Sequence, residues 1–128
     1  MKTEIKDRKD IEFLIDSFYE KVKSDDVIGF FFNDIAHVNW EEHLPVLYNF
    51  REGIIFGTGK YQGNTMQKHI ELHQKSKMEA KHFERWMQLF TETIDEHFVG
   101  NNAMIAKQRA LSISTVIQIK IANTNNIT

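Results

Sequence analysis

The sequence contains no cysteine. That removes a disulfide framework, a thiolate metal site, a cysteine-tethered cofactor and a cysteine nucleophile, and it fits a reducing compartment. Only one proline and six glycines occur in 128 residues, and the glycines gather between residues 53 and 63. Helix breakers are therefore scarce elsewhere, and the chain reads as mostly helical. No window approaches the ~20 apolar residues of a spanning helix. The charged first ten residues precede no apolar run long enough for export. A basic excess is also missing: the net charge is -2 and the pI is near 6.3, which argues against a nucleic-acid platform. The expectation is a soluble cytoplasmic protein with neither nucleic acid nor membrane as partner.

What is present is apolar and aromatic. Hydrophobic residues make up 41% of the chain, with ten phenylalanines, and a chain of this length buries roughly two-thirds of its unfolded surface around one core. A single domain over 1–128 is expected, with 1–9 an N-terminal extension and 123–128 a polar tail. From 10 to 22, Ile11, Leu14, Ile15, Phe18, Tyr19 and Val22 keep the rhythm of one helical face, with Asp7 or Asp10 as cap. The segment 27–33 is short and carries Phe30, Phe31 and Phe32 in a row, so it should be buried on more than one side. Asn39 is positioned to cap a helix from 40 towards 56, whose inner face would carry Trp40, His43, Leu47, Phe50 and Ile54. Pro45 should disturb its first turns.

Residues 75–81 read as loop. A strongly periodic helix follows over 79–98, with Phe83, Trp86, Met87, Phe90, Ile94, His97 and Phe98 inward, and Gly100 stops it. A last helix runs from Asn102 to about Ala122, with Ile105 or Ala106, Ala110, Ile113, Ile117 and Ile121 inward. There is no internal repeat.

Between the second and third long helices lies Tyr61-Gln62-Gly63-Asn64-Thr65-Met66-Gln67-Lys68-His69-Ile70-Glu71-Leu72-His73. It leaves a glycine-broken loop for a short amphipathic turn that presents His69 among Met66, Ile70 and Leu72. His43 and His69 thus fall on apolar faces of separate segments. Each alone reads as a hydrogen-bonded core or surface histidine. Two flanked by aromatics point further, because a neutral imidazole buried without a partner is costly and metal coordination relieves that cost. Zinc or di-iron sites want three or four ligands, and the inward faces offer few carboxylates. Iron in a porphyrin needs only one or two protein ligands and a large apolar slot.

Tyr19 and Trp86 each suit core packing, the commoner fate of both types. Each also carries a polar handle able to donate to a diatomic ligand. Gly57-Thr58-Gly59-Lys60 has the wrong spacing for a Walker A loop and follows no strand, so it is a turn. His73, His82 and His97 are expected on the surface or rim, with His73 and Lys60 able to reach haem propionates.

In combination, Phe18-Tyr19-Glu20-Lys21-Val22, Phe32-Asn33, Trp40-Glu41-Glu42-His43, Asn49-Phe50, the 57–63 glycine loop, Lys68-His69 and Phe83-Glu84-Arg85-Trp86 resemble the group III truncated haemoglobins. These are small bacterial globins that fold two-over-two around haem b, and the resemblance spans about 11–121. It implies an all-α truncated-globin sandwich in which His69 is the proximal iron ligand. Tyr19, His43 and Trp86 would surround the bound ligand. Phe32, Leu47, Phe50, Tyr61, Phe83 and Trp86 would contact haem.

The ligands implied are O2, CO and NO at an otherwise five-coordinate iron. The reactions implied are NO oxidation to nitrate, nitrite reduction or peroxide chemistry served by a separate reductase, in a monomer or weak dimer. Ligand storage, sensing or redox transfer is the non-enzymatic alternative, and a haem-free helical interaction domain is the rival from another class. Two positions depart from the family pattern. Arg51 stands where a tryptophan usually follows the Asn-Phe pair, and it is expected at a propionate or in solvent. Pro45 stands just after the distal histidine.

Overall fold

The structure is a computed structural model that describes residues 2–31, 40–57 and 78–126, with side chains as far as residue 122. Asn39, Phe32, Tyr61, His69, His73 and Lys60 lie outside the described residues. Among the described residues the long elements are four helices: α1 (Arg8–Lys23), α2 (Trp40–Phe56), α3 (Ala80–His97) and α4 (Asn101–Asn126). Helix α1 packs on both α2 and α3, while α4 packs on α3 and α2. Two helices thus lie over two others, the sandwich expected from the sequence.

Helix α1 forms where its spacing places it. Asp7 is the cap, its carboxylate accepting the Asp10 N–H at 3.2 Å, and all six predicted inward residues are buried. A cap of this kind stabilises a helix by about 1 kcal/mol. At the core, Phe18 is wholly enclosed, edge-on to Tyr19 at 4.7 Å, Trp86 at 5.0 Å and Phe90 at 5.0 Å between ring centroids. In the turn that follows, Phe31 is buried and lies beside Phe30 and the His82 ring.

One expectation about α2 changes. Its deepest residues are Arg51, Glu52 and Ile55, whereas Trp40, His43, Leu47, Phe50 and Ile54 are half-buried. The line that meets the rest of the core therefore runs along the flank of the apolar stripe. Glu52 can be buried because Arg8 Nη1 donates to it at 3.3 Å and to Asn49 at 2.7 Å. The helix continues through Pro45 and closes at Gly57, whose φ of 71° is left-handed and whose N–H donates to the Gly53 carbonyl at 2.9 Å.

The N-terminal residues are part of this fold. Ile5 is fully enclosed in the main core, Thr3 bridges to Phe98 and accepts the Val99 N–H at 3.0 Å. The Glu4 carboxylate accepts the N–H groups of Asn101 at 3.0 Å and Asn102 at 2.9 Å. It satisfies two of the orphan donors that every helix N-terminus leaves. The cap of α4 thus comes from the far end of the chain, and Asn102 instead donates its side-chain N–H to the Ile5 carbonyl.

Helix α3 buries Phe83, Phe90 and Ile94 as expected, and also His82, Leu89 and Thr93. His82 is not a rim residue. Its Nδ1 accepts the Glu79 N–H at 2.8 Å, filling at the third helical position the role glutamate usually takes in a capping box. Burial and Lys81 lower its proton affinity against an opposing pull from Glu79.

Candidate functional site

Three helices converge on one aromatic cluster. Tyr19 comes from α1, Trp86 from α3 and Arg51 from α2, each by the spacing that places it beside a core residue: Phe18, Phe90 and Ile55 respectively. Trp86 stacks on Phe90 at 4.9 Å and 22°, so its ring is fixed by packing within its own helix. From that position its indole N–H acts on the Tyr19 phenol and lowers its pKa. An indole nitrogen only donates, so the phenol oxygen is the acceptor in this pair. Burial pushes the Tyr19 pKa up, with Arg51 and the indole bond pulling the other way. The phenol is therefore neutral at physiological pH and keeps its own O–H proton.

His43 joins the cluster through Trp40. The Tyr19 and Trp40 rings lie 5.1 Å apart, and the Trp40 and His43 rings 5.9 Å apart. Lys23 Nζ stands 4.8 Å from the Trp40 ring centroid, a cation–π contact that fixes the indole between the two. Trp40 and His43 are three residues apart and share the half-buried stripe of α2 with Leu47 and Phe50. Leu47, Trp40 and Trp86 all pack against the main core. Phe83 stands apart, buried in a second cluster with Ile117 and Ile121 of α4. The described structure therefore gathers Tyr19, Trp86, His43 and Leu47 around one core, with Phe50 on the same stripe, and sets Phe83 to one side.

Arg51 corrects a sequence expectation. It does not lie in solvent: it is 8% exposed. Its guanidinium carbon lies 5.0 Å from the Phe50 ring centroid, 5.3 Å from Trp86 and 5.0 Å from Phe90. Guanidinium is flat and weakly hydrated, so aromatic faces can accept it where an ammonium would stay in water. Burial brings its pKa down to about 10, opposed by the Tyr19 phenol, and it remains charged at neutral pH. A signal for this existed: Leu44, Tyr48, Arg51 and Ile55 recur at helical spacing. The charged letter concealed it.

Among the described residues no three His, Cys, Asp or Glu side chains gather as a metal-binding group. The gathered set is instead one imidazole, a phenol, an indole and a guanidinium over apolar walls. Apolar walls with a few convergent polar groups are the usual construction of a site for an organic group and a small ligand. Among the described residues, no helix is long and apolar enough to cross a membrane.

Comparison with known proteins identifies the family. The family model for bacterial-like globins matches residues 4–121. The group 3 truncated haemoglobin ctb of Campylobacter jejuni is 31% identical over 121 residues, covering 92% of this chain and 93% of that protein. The group 1 truncated haemoglobin GlbN of Synechocystis is 30% identical over 103 residues, covering 80% of each. The crystal structure of the group III truncated haemoglobin from Campylobacter jejuni superposes with a TM-score of 0.81 at 31% identity, across 94% of this chain and 95% of that one. On its sequence, its helices and their two-over-two packing, this chain belongs to the bacterial-like globins and, among them, to the group III truncated haemoglobins.

Proposed function

We propose that this chain binds haem b through His69 and takes O2, NO or CO on the opposite face, beneath Tyr19, Trp86 and His43. Haem-based binding of small ligands is the trait of the family. The observation that carries the reading for this chain is the convergence of Tyr19 and Trp86, both edge-on to the enclosed Phe18, with His43 joined to them through Trp40. A core tyrosine and tryptophan need only pack. Here the indole orients the phenol, and a phenol so oriented serves as a donor beside a polar ligand.

When bound, haem supplies an iron with one coordination position for a small ligand. The protein does the rest. His69 holds the group from the proximal side. Tyr19 donates to the partial negative charge on a polar ligand, with Trp86 fixing its orientation. Leu47 and Phe50 form apolar wall, and His43 stands at the half-exposed edge of α2 where a ligand can pass. Phe32, Tyr61 and Phe83 complete the haem contacts.

Absorption spectra of the purified protein, oxidised, reduced and reduced under CO, test this directly. An intense Soret band that shifts with CO is expected, and His69→Ala should lose haem or hold it weakly. No Soret band after haem is supplied would end the reading, and full haem retention by His69→Ala would overturn the proximal assignment.

Tyr19 and the buried Arg51 are two donors in one cluster, with Trp86 beside them. That density favours retaining a polar ligand for reaction over delivering it, so oxidation of NO to nitrate with a separate reductase is the catalytic role we favour. Consumption of NO by the O2-bound protein under reductant checks it. Consumption no faster than free haem sustains would leave ligand storage or sensing.

A further inference from the structure

Filling the space that Arg51 occupies does not require a charge. A methionine or leucine could fill the space between Phe50, Trp86 and Phe90 without the desolvation that burying a cation entails. Among the described residues no carboxylate forms an ion pair with Arg51. The acidic residue next to it, Glu52, is held by Arg8 at 3.3 Å. The guanidinium instead lies 5.3 Å from the Trp86 ring and close enough to Tyr19 for each to alter the other's proton affinity. Among the described residues this buried cation is held by aromatic faces alone, beside Tyr19 and Trp86, and keeps the capacity to attract an anion.

We propose that Arg51 makes the distal side of this pocket a receptor for small anions, such as fluoride, azide or nitrite, by adding a buried positive charge to the Tyr19–Trp86 pair. The inference rests on the haem reading, because the anion's other contact is the iron. It separates two classes of ligand. An anion gains the full attraction of the guanidinium, through a weakly screened interior. CO carries almost no charge and gains little. A charge-assisted hydrogen bond adds about tenfold or more in affinity, so the charge sets which ligands the pocket prefers.

The test compares wild type with Arg51→Met in the haem-loaded protein. Ferric protein is titrated with fluoride, and ferrous protein with CO, both by absorption. Fluoride affinity should fall about tenfold or more while CO affinity changes less than about threefold. The C–O stretching frequency of the CO complex gives a second readout. A positive charge near the ligand lowers that frequency, so Arg51→Met should raise it. If the methionine variant does not fold, Arg51→Gln makes the same comparison, keeping a hydrogen-bonding head without the charge.

Unchanged fluoride affinity, or an equal loss for fluoride and CO, would overturn the proposal. No Soret band in the wild-type protein would sink the haem reading and this inference together. A normal Soret band with undiscriminating variants would sink this inference alone.

Discussion

Trp86 acts on the Tyr19 phenol, and the donor-only chemistry of an indole decides what each side chain contributes. The indole can only give, so the phenol receives and is left to give elsewhere. Replacing Tyr19 with phenylalanine removes a neutral donor at a buried site. Such a bond contributes roughly 0.5–1.5 kcal/mol, so O2 release should become a few-fold to about tenfold faster. Stopped-flow displacement of O2 by CO measures it, and an unchanged rate would show that the tyrosine does not hold the ligand. Trp86→Phe keeps the ring stacked on Phe90 but frees the phenol to rotate. It should speed O2 release by less than Tyr19→Phe does. If Trp86→Phe has the larger effect, the indole is the direct donor and the order of roles is reversed.

At the scale of elements, the apolar stripes of α1 and α3 were legible because both helices bury residues that look buried. All six predicted inward residues of α1 are enclosed. Helix α2 was half legible. Its apolar stripe was visible, but its deepest positions are Arg51 and Glu52, charges made tolerable by aromatic faces and by Arg8. Single-helix periodicity cannot register partners that lie on other elements. The same blindness hid Glu4, read as part of an extension although it caps α4 from 97 residues away. That cap explains Gly100. Its φ is 104°, and a Cβ there would stand 2.2 Å from a Glu4 carboxylate oxygen. Gly100→Ala should therefore lose more than about 1 kcal/mol through strain and displaced capping together. Glu4→Ala should cost about 1 kcal/mol by itself, as loss of an N-terminal cap does. Urea denaturation of both single variants and the double variant checks this. Because the Glu4 contact is shared, the double variant should lose less than the sum of the singles. Simple additivity would mean that the strain of Gly100 is purely conformational.

Across the whole molecule, the site depends on α1 and α3 holding one relative position, because Tyr19 rides on the first and Trp86 on the second. Two sets of charges tie these helices. Lys21 reaches Glu96 at 2.5 Å and Glu92 at 4.0 Å, but these groups are substantially exposed, where such pairs contribute about 0–1 kcal/mol and fade with salt. The stronger brace is Asp25, in the turn after α1. It accepts from Arg85 Nη2 at 2.7 Å and Nε at 2.8 Å and from the N–H groups of Val27 and Ile28. Arg85 directly precedes Trp86, so this brace fixes the helix that carries the indole. Burial pushes the Asp25 carboxyl up, but Arg85 and the two backbone donors outweigh it and hold the pKa below the ordinary 3.8. A carboxyl with a depressed folded-state pKa stabilises the fold above its unfolded value, and that stability is lost as pH falls through the folded value. The brace should therefore be fully present at neutral pH and weaken only below about pH 4. Asp25→Asn should cost about 1–3 kcal/mol at neutral pH, as expected for losing charge-assisted bonds to a covered group, and much less at low pH. Urea midpoints of wild type and variant should converge as the medium is acidified. A gap that stays constant from neutral pH to about pH 2 would mean that the carboxylate charge is not what holds the two helices together. High salt adds a second discrimination: it should erode the Lys21 pairs and leave most of the Asp25 contribution intact.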